Sequence, residues 1–124
     1  GGYASGRNGF IAKYNSSGVA QWAASVTTAP NVSEFMGVEI DSANLPYIVG
    51  YISGTGTYDF GNSVTLSGTY TDTNALLVKY NSSGVAKWAR TTSSGTNSSY
   101  YGDISIDTTD NIFVVGNILG NVAF

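Results

Sequence analysis

An octapeptide that occurs twice constrains this chain more than any other feature. Lys13, Tyr14, Asn15, Ser16, Ser17, Gly18, Val19 and Ala20 recur in the same order from Lys79 to Ala86. Each run continues through one variable residue into Trp and Ala, as Trp22-Ala23 and Trp88-Ala89. The offset is 66 positions, and it also superposes Asn8 on Asn74, Asn31 on Asn97, Asp41 on Asp107 and Val49-Gly50 on Val115-Gly116. A period of this length marks a tandem array, in which one unit cannot bury its own faces and has to stack on a neighbour. Residues 1–66 form the first unit with a long connection, and 67–124 form the second, cut short at that connection. Between residues 33 and 41 the copies drift by about one position, Gly37 lying nearer Gly102 than Asp103, which predicts a bulge or loop that differs between them.

Each unit reads as four short strands. Phe10, Ala12 and Tyr14 alternate with Ile11 and Lys13, and the Asn-Ser-Ser-Gly that follows is turn chemistry leading into 19–26. A Ser/Thr/Pro/Asn loop separates this hairpin from 35–41, and a turn around Ser42-Ala43-Asn44 leads to 46–52, rich in β-branched and aromatic residues. In the second copy the strands fall near 76–80, 85–92, 101–107 and 112–118. Four antiparallel strands per unit describe the blade of a β-propeller. The expected fold is all-β, with two four-stranded antiparallel propeller-like blades completed by neighbouring copies or a longer chain.

The order of motifs is more specific. A strand ending Lys-Tyr-Asn-Ser-Ser-Gly, then Val-Ala-x-Trp-Ala, a spacer, Ile-Asp, a short turn and Tyr/Phe-(Ile/Val)-Val-Gly resembles the bacterial SBBP family of β-propeller repeats over nearly the whole chain. The resemblance implies a propeller in a secreted or cell-surface protein and implies no catalytic residues. The spacer from 54 to 74 and the shortened second copy depart from the pattern.

A propeller closes with roughly four to eight blades, so two leave both outer faces bare. On the repeat offset Gly1 aligns with Ser67 and Phe124 with Tyr58, and another copy following Phe124 would nearly restore the phase. The expectation is an excerpt from a longer array or a protomer that continues head to tail, closing into a ring if the rotation fits and growing into a filament otherwise.

Composition narrows the chemistry. The net charge is -3 and the five basic residues, Arg7, Lys13, Lys79, Lys87 and Arg90, are scattered, so no basic stripe suits nucleic acid or an anionic membrane. With no His and no Cys, a Ser-His-Asp triad, a thiol nucleophile and a typical zinc site are all excluded. No cofactor is expected, and the chain is read as not an enzyme. Paired carboxylates could still serve glycoside hydrolysis, with Asp41 and Asp107 the repeated pair, but their position where a strand enters a turn points to capping of that turn. The run Asp107-Thr108-Thr109-Asp110-Asn111 is oxygen-rich, yet it lacks the spacing of an EF-hand loop and reads as a polar turn. Gly54-Thr55-Gly56 lacks the Gly-Lys-Ser/Thr of a phosphate loop and reads as a flexible connection.

Trp22, Trp88, Tyr14 and Tyr80 recur at equivalent positions, which points to packing between blades. Tyr47, Tyr51, Tyr58, Tyr70, Tyr100 and Tyr101 are not repeated and are the candidates for exposed ligand contacts. Asn15, Asn31, Asn81 and Asn97 each begin an Asn-x-Ser acceptor pattern in a turn or loop and are possible glycosylation sites. The resulting expectation is a non-catalytic extracellular structural module that self-assembles into a ring or surface filament as a homo-oligomer or head-to-tail polymer. The competing expectation is a multivalent carbohydrate-binding propeller.

Overall fold

The computed structural model describes residues 6–120 and 122–123, and every regular element among them is a β-strand. Gly1 and Phe124, on which the phase argument drew, lie outside the described residues. The strands are β1 (Phe10–Tyr14), β2 (Ala20–Ser25), β3 (Ser33–Ile40), β4 (Pro46–Ser53), β5 (Thr57–Asp59), β6 (Thr65–Ser67), β7 (Thr73–Tyr80), β8 (Ala86–Arg90), β9 (Ser94–Gly95), β10 (Ser99–Ile106), β11 (Ile112–Ile118) and β12 (Val122–Ala123).

Four hairpin turns share one construction. In the β1–β2 turn the Asn15 side-chain oxygen accepts from the amides of Ser17 and Val19, at 3.0 and 2.9 Å. Asn81 does the same for Ser83 and Val85, Asp41 for Ala43 and Leu45, and Asp107 for Thr109 and Asn111. Each turn then needs one residue in the left-handed region, supplied by Gly18, Gly84, Asn44 and Asp110 at φ between 60° and 77°. Asn and Asp tolerate that conformation better than other L-residues, which is why a non-glycine can stand there. Asn-Ser-Ser-Gly and Asp-Ser-Ala-Asn are thus two spellings of the same turn.

The pairing of the hairpins differs from the expectation. Four consecutive strands of one unit were expected to form one sheet, but the four-stranded sheet has the order β3-β4-β7-β8 and joins the second hairpin of the first copy to the first hairpin of the second. The remaining hairpins, β1–β2 and β10–β11, stand as separate two-stranded sheets. Local signals fix which strands make hairpins, whereas lateral pairing depends on how the connections run. The connection between β2 and β3 is tied down by buried Val26 and Ala29, and the Thr27 amide donates to the Asp59 carbonyl at 2.7 Å.

The expected drift between the copies is absent. Phe35 pairs with Gly50 and Gly37 with Val49, leaving Met36 as the extra residue of a bulge. In the second copy Tyr101 pairs with Gly116 and Asp103 with Val115, leaving Gly102, which is 66 positions on. The bulge is conserved in place and only its residue type changes; glycine in one copy and methionine in the other produced the false shift.

The long spacer is also more than a flexible connection. It folds into the β5–β6 hairpin, registered Thr57 to Ser67 and Asp59 to Thr65, and it delivers Tyr58 and Phe60 into the core. There they meet Ile48, Ile52, Leu76, Val78 and Tyr80, with Ile11 and Ala24 of the first hairpin packed alongside. The opposite face of the four-stranded sheet carries Tyr47, Val49, Leu77 and Trp88, covered by Ile104, Ile106 and Ile112 of the β10–β11 sheet. Neighbouring residues of β4 and of β7 go to opposite cores, as the period of two along a strand requires. The result is three stacked sheets, with the four-stranded sheet in the middle.

Candidate functional site

The features most able to carry function are the interfaces between stacked sheets, and one of them is open. In the closed interface, Tyr47 and Val49 of β4 and Leu77 and Trp88 are met by Ile104, Ile106 and Ile112. Across the other interface the residues 66 positions earlier are Ile11 and Trp22 on one side and Val38, Ile40 and Pro46 on the other. They line a groove of about 330 Å³ instead of a packed core. Val38 is 58% exposed and Ile40 52%, where their counterparts Ile104 and Ile106 are buried or half-buried. A second groove of about 270 Å³, lined by Phe10, Ala12, Phe35 and Met36 among others, continues along β1.

Both interfaces have polar fastenings. The indole N–H of Trp22 donates to the Ser82 carbonyl at 2.8 Å, linking the first sheet to the turn of the middle one, and its ring lies against Gly84. Ser42 donates its amide and its hydroxyl to the Asp110 carboxylate at 2.9 and 2.7 Å, linking the middle sheet to the third. Ser33 accepts the amide of Gly9, just before β1, and Ser99 accepts that of Ala75 in β7, both at 3.1 Å.

Within the middle sheet, Lys79 forms an ion pair with Asp41 at 3.1 Å and contacts the Tyr47 hydroxyl. Burial alone would raise the Asp41 carboxyl. The Leu45 amide and Lys79 outweigh it, and Asp41 stays below the ordinary carboxylate value. Lys79 is held above its ordinary value chiefly by the Tyr47 hydroxyl, against the opposing effect of burial, with Asp41 adding to the rise. Asp107 is lowered to about 2, first by the Asn111 side chain and then by the Asn111 amide and Thr109. Asp41 and Asp107 are therefore each engaged by their own turn, and Asp110 by Ser42. Among the described residues no three acidic side chains gather into a metal-binding group.

The six tyrosines expected as exposed contacts divide. Tyr47 and Tyr58 are buried, contrary to the expectation; Tyr47 packs edge-on against Trp88 at 5.8 Å, and the Tyr58 hydroxyl lies 2.6 Å from the Ser53 carbonyl. Tyr58 was misjudged because the spacer was read as an open loop, and Tyr47 because its counterpart is Phe113 and the absence of an exact repeat was taken for exposure. Tyr51, Tyr70, Tyr100 and Tyr101 are half-buried. The Tyr51 hydroxyl donates to Glu34 at 3.0 Å, and Tyr100 accepts from Asn117 at 2.6 Å. Tyr100 and Tyr101 share a groove of about 280 Å³ with Val114 and Ile118.

Of the repeated aromatics, Tyr80 is buried, Trp22 and Trp88 are half-buried and Tyr14 is exposed. Asn15 and Asn31 are exposed, and Asn81 and Asn97 are half-buried. The groove residues Val38 and Ile40 were missed. Part of their signal was available, since Val38 and Ile40 flank polar Glu39 as Ile104 and Ile106 flank Ser105 in the second copy.

Comparison with known proteins adds no relative: no family model matches the chain, and no curated protein matches it.

Proposed function

We propose that this chain is a non-catalytic structural module of propeller-type repeats whose activity is to assemble end to end into a ring or a filament. The observation that supports this reading most is the apolar surface left open on the third sheet and on the part of the middle sheet that faces the first. Phe113 is 59% exposed and Val115 65%, on the far face of the third sheet, while Val38 and Ile40 stand open beside the first. Their repeat counterparts are core residues. Apolar surface arranged in this way marks an interaction site.

The resemblance to the SBBP repeats rests on the octapeptide and the Trp that follows it, and it supports placement outside the cell. The carbohydrate-binding reading has less support, because Tyr47 and Tyr58 lie inside the cores. Electron microscopy of the purified protein tests the proposal. Closed rings or extended fibres are the expected images, and particles of single-chain size at all concentrations would overturn it.

A further inference from the structure

The middle sheet contains the template for a contact between copies. It is made from a β3–β4 hairpin and a β7–β8 hairpin, joined along β4 and β7 from Tyr47 opposite Lys79 to Ser53 opposite Thr73. The β10–β11 hairpin is the repeat counterpart of the first and carries the same bulge and turn. The β1–β2 hairpin is the counterpart of the second. Among the described residues the outer edges of β11 and β1 have no strand partner.

We infer that β11 of one copy pairs antiparallel with β1 of a second copy, and that together the two hairpins rebuild the four-stranded sheet found inside each chain. This rests on the assembly reading above and names its interface. Transfer of the internal register by one repeat sets Phe113 opposite Lys13, Val114 opposite Ala12, Val115 opposite Ile11 and Gly116 opposite Phe10. Edge strands are ready templates for such addition, since their unpaired backbone groups supply the hydrogen bonds.

Three further features agree with the same single placement. The first is shape. Tyr47 and Val49 fill the closed interface; the open groove lacks their equivalents, which are Phe113 and Val115, exposed at the other end of the molecule. Phe113 and Val115 of one copy enter the groove of the next, between Ile11, Trp22, Val38 and Ile40.

The second is charge. Lys79 binds Asp41 inside the middle sheet, and the counterparts Lys13 and Asp107 are exposed and form no ion pair with each other within the chain. The rebuilt sheet brings Lys13 of one copy to Asp107 of the other. Phe113 lacks the hydroxyl that Tyr47 offers to Lys79, so this pair is the simpler one.

The third is the indole bond. Trp22 donates to Ser82 and lies on Gly84, whereas the Trp88 indole makes no hydrogen bond within the described residues and the position beside Gly18 is open space. The same placement sets Trp88 of one copy over Gly18 of the next, with Ser16 as its acceptor.

Because the contact joins two different surfaces it is heterologous, so it repeats from copy to copy. The chain contains no cysteine, which makes directed cross-linking clean. Ala12→Cys and Val114→Cys chains are mixed under mild oxidation, with each variant alone and an Ala12→Cys plus Ile118→Cys mixture as controls. The expected result is a disulfide-linked dimer in the first mixture and little or none in the controls. Native mass is measured on the same samples, and Val115→Asp, a change at an exposed position, is expected to abolish association while the β-sheet circular dichroism persists. Assembly without the Ala12/Val114 cross-link, or with preference for Ile118, would overturn this interface and leave the assembly reading standing. A particle of single-chain mass throughout would overturn both.

Discussion

Asp41 shows how much one side chain can be asked to do. One carboxylate oxygen closes a turn by accepting two amides, and the other holds Lys79 across the sheet. Asparagine already performs the first task at positions 15 and 81, so Asp41→Asn separates the two roles. It should keep the turn and leave Lys79 without its charge partner, at a cost of about 1–3 kcal/mol measured by denaturant unfolding. The pair also sets a pH window. Asp41 is depressed in the folded state, so its contribution is present above the ordinary carboxylate value of 3.8 and fades as pH falls through the depressed value. Lys79 is raised, so its contribution is complete below 10.5 and fades as pH rises through the raised value. Unfolding measured against pH should therefore show a plateau between these limits, and Asp41→Asn should shrink the acid flank to what Asp107 contributes while reducing the basic flank only in part, because the Tyr47 hydroxyl still holds Lys79. Tyr80 is a different case: burial pushes its hydroxyl up to about 12, and that hydroxyl has no hydrogen-bond partner among the described residues. Tyr80→Phe should leave stability unchanged or raise it by up to about 1 kcal/mol, because an unsatisfied buried donor is removed.

At the scale of elements, the β5–β6 hairpin is what closes the first core. Phe60 is buried there, and Phe60→Ala should cost about 3–5 kcal/mol, read as a lowered unfolding midpoint. That hairpin was not legible in the sequence, because its strands are three residues long and the glycines around it suggest a loop. The four longer hairpins were legible, since alternation in 10–14, the β-branched and aromatic content of 46–52 and the Asn or Asp before each turn are local signals. Lateral partners were not. Nothing in 46–53 or 73–80 alone says that β4 joins β7 rather than β3 joining β2; that choice depends on the path of 26–32, fixed by Val26 and Ala29 in the core. The open groove was half legible, because the repeat identifies Val38 and Ile40 with Ile104 and Ile106, but only the folded chain shows that one set is covered and the other bare.

For the whole molecule, the half-repeat offset between the sequence units and the sheets is the governing fact. A chain whose sheets coincided with its repeats would present complete four-stranded sheets. This one presents a hairpin at each end of the stack, each matching half of the sheet in the middle. The same offset explains why exposed apolar residues concentrate on β1, β3 and β11 rather than scattering over the surface. The mass of the native particle, measured by sedimentation equilibrium over a range of concentrations, tests this account most directly. The account predicts multiples of 12.9 kDa that grow with concentration or settle at one closed number, and a return to single-chain mass on Val115→Asp. A constant mass of 12.9 kDa for the unaltered chain at every concentration would contradict it.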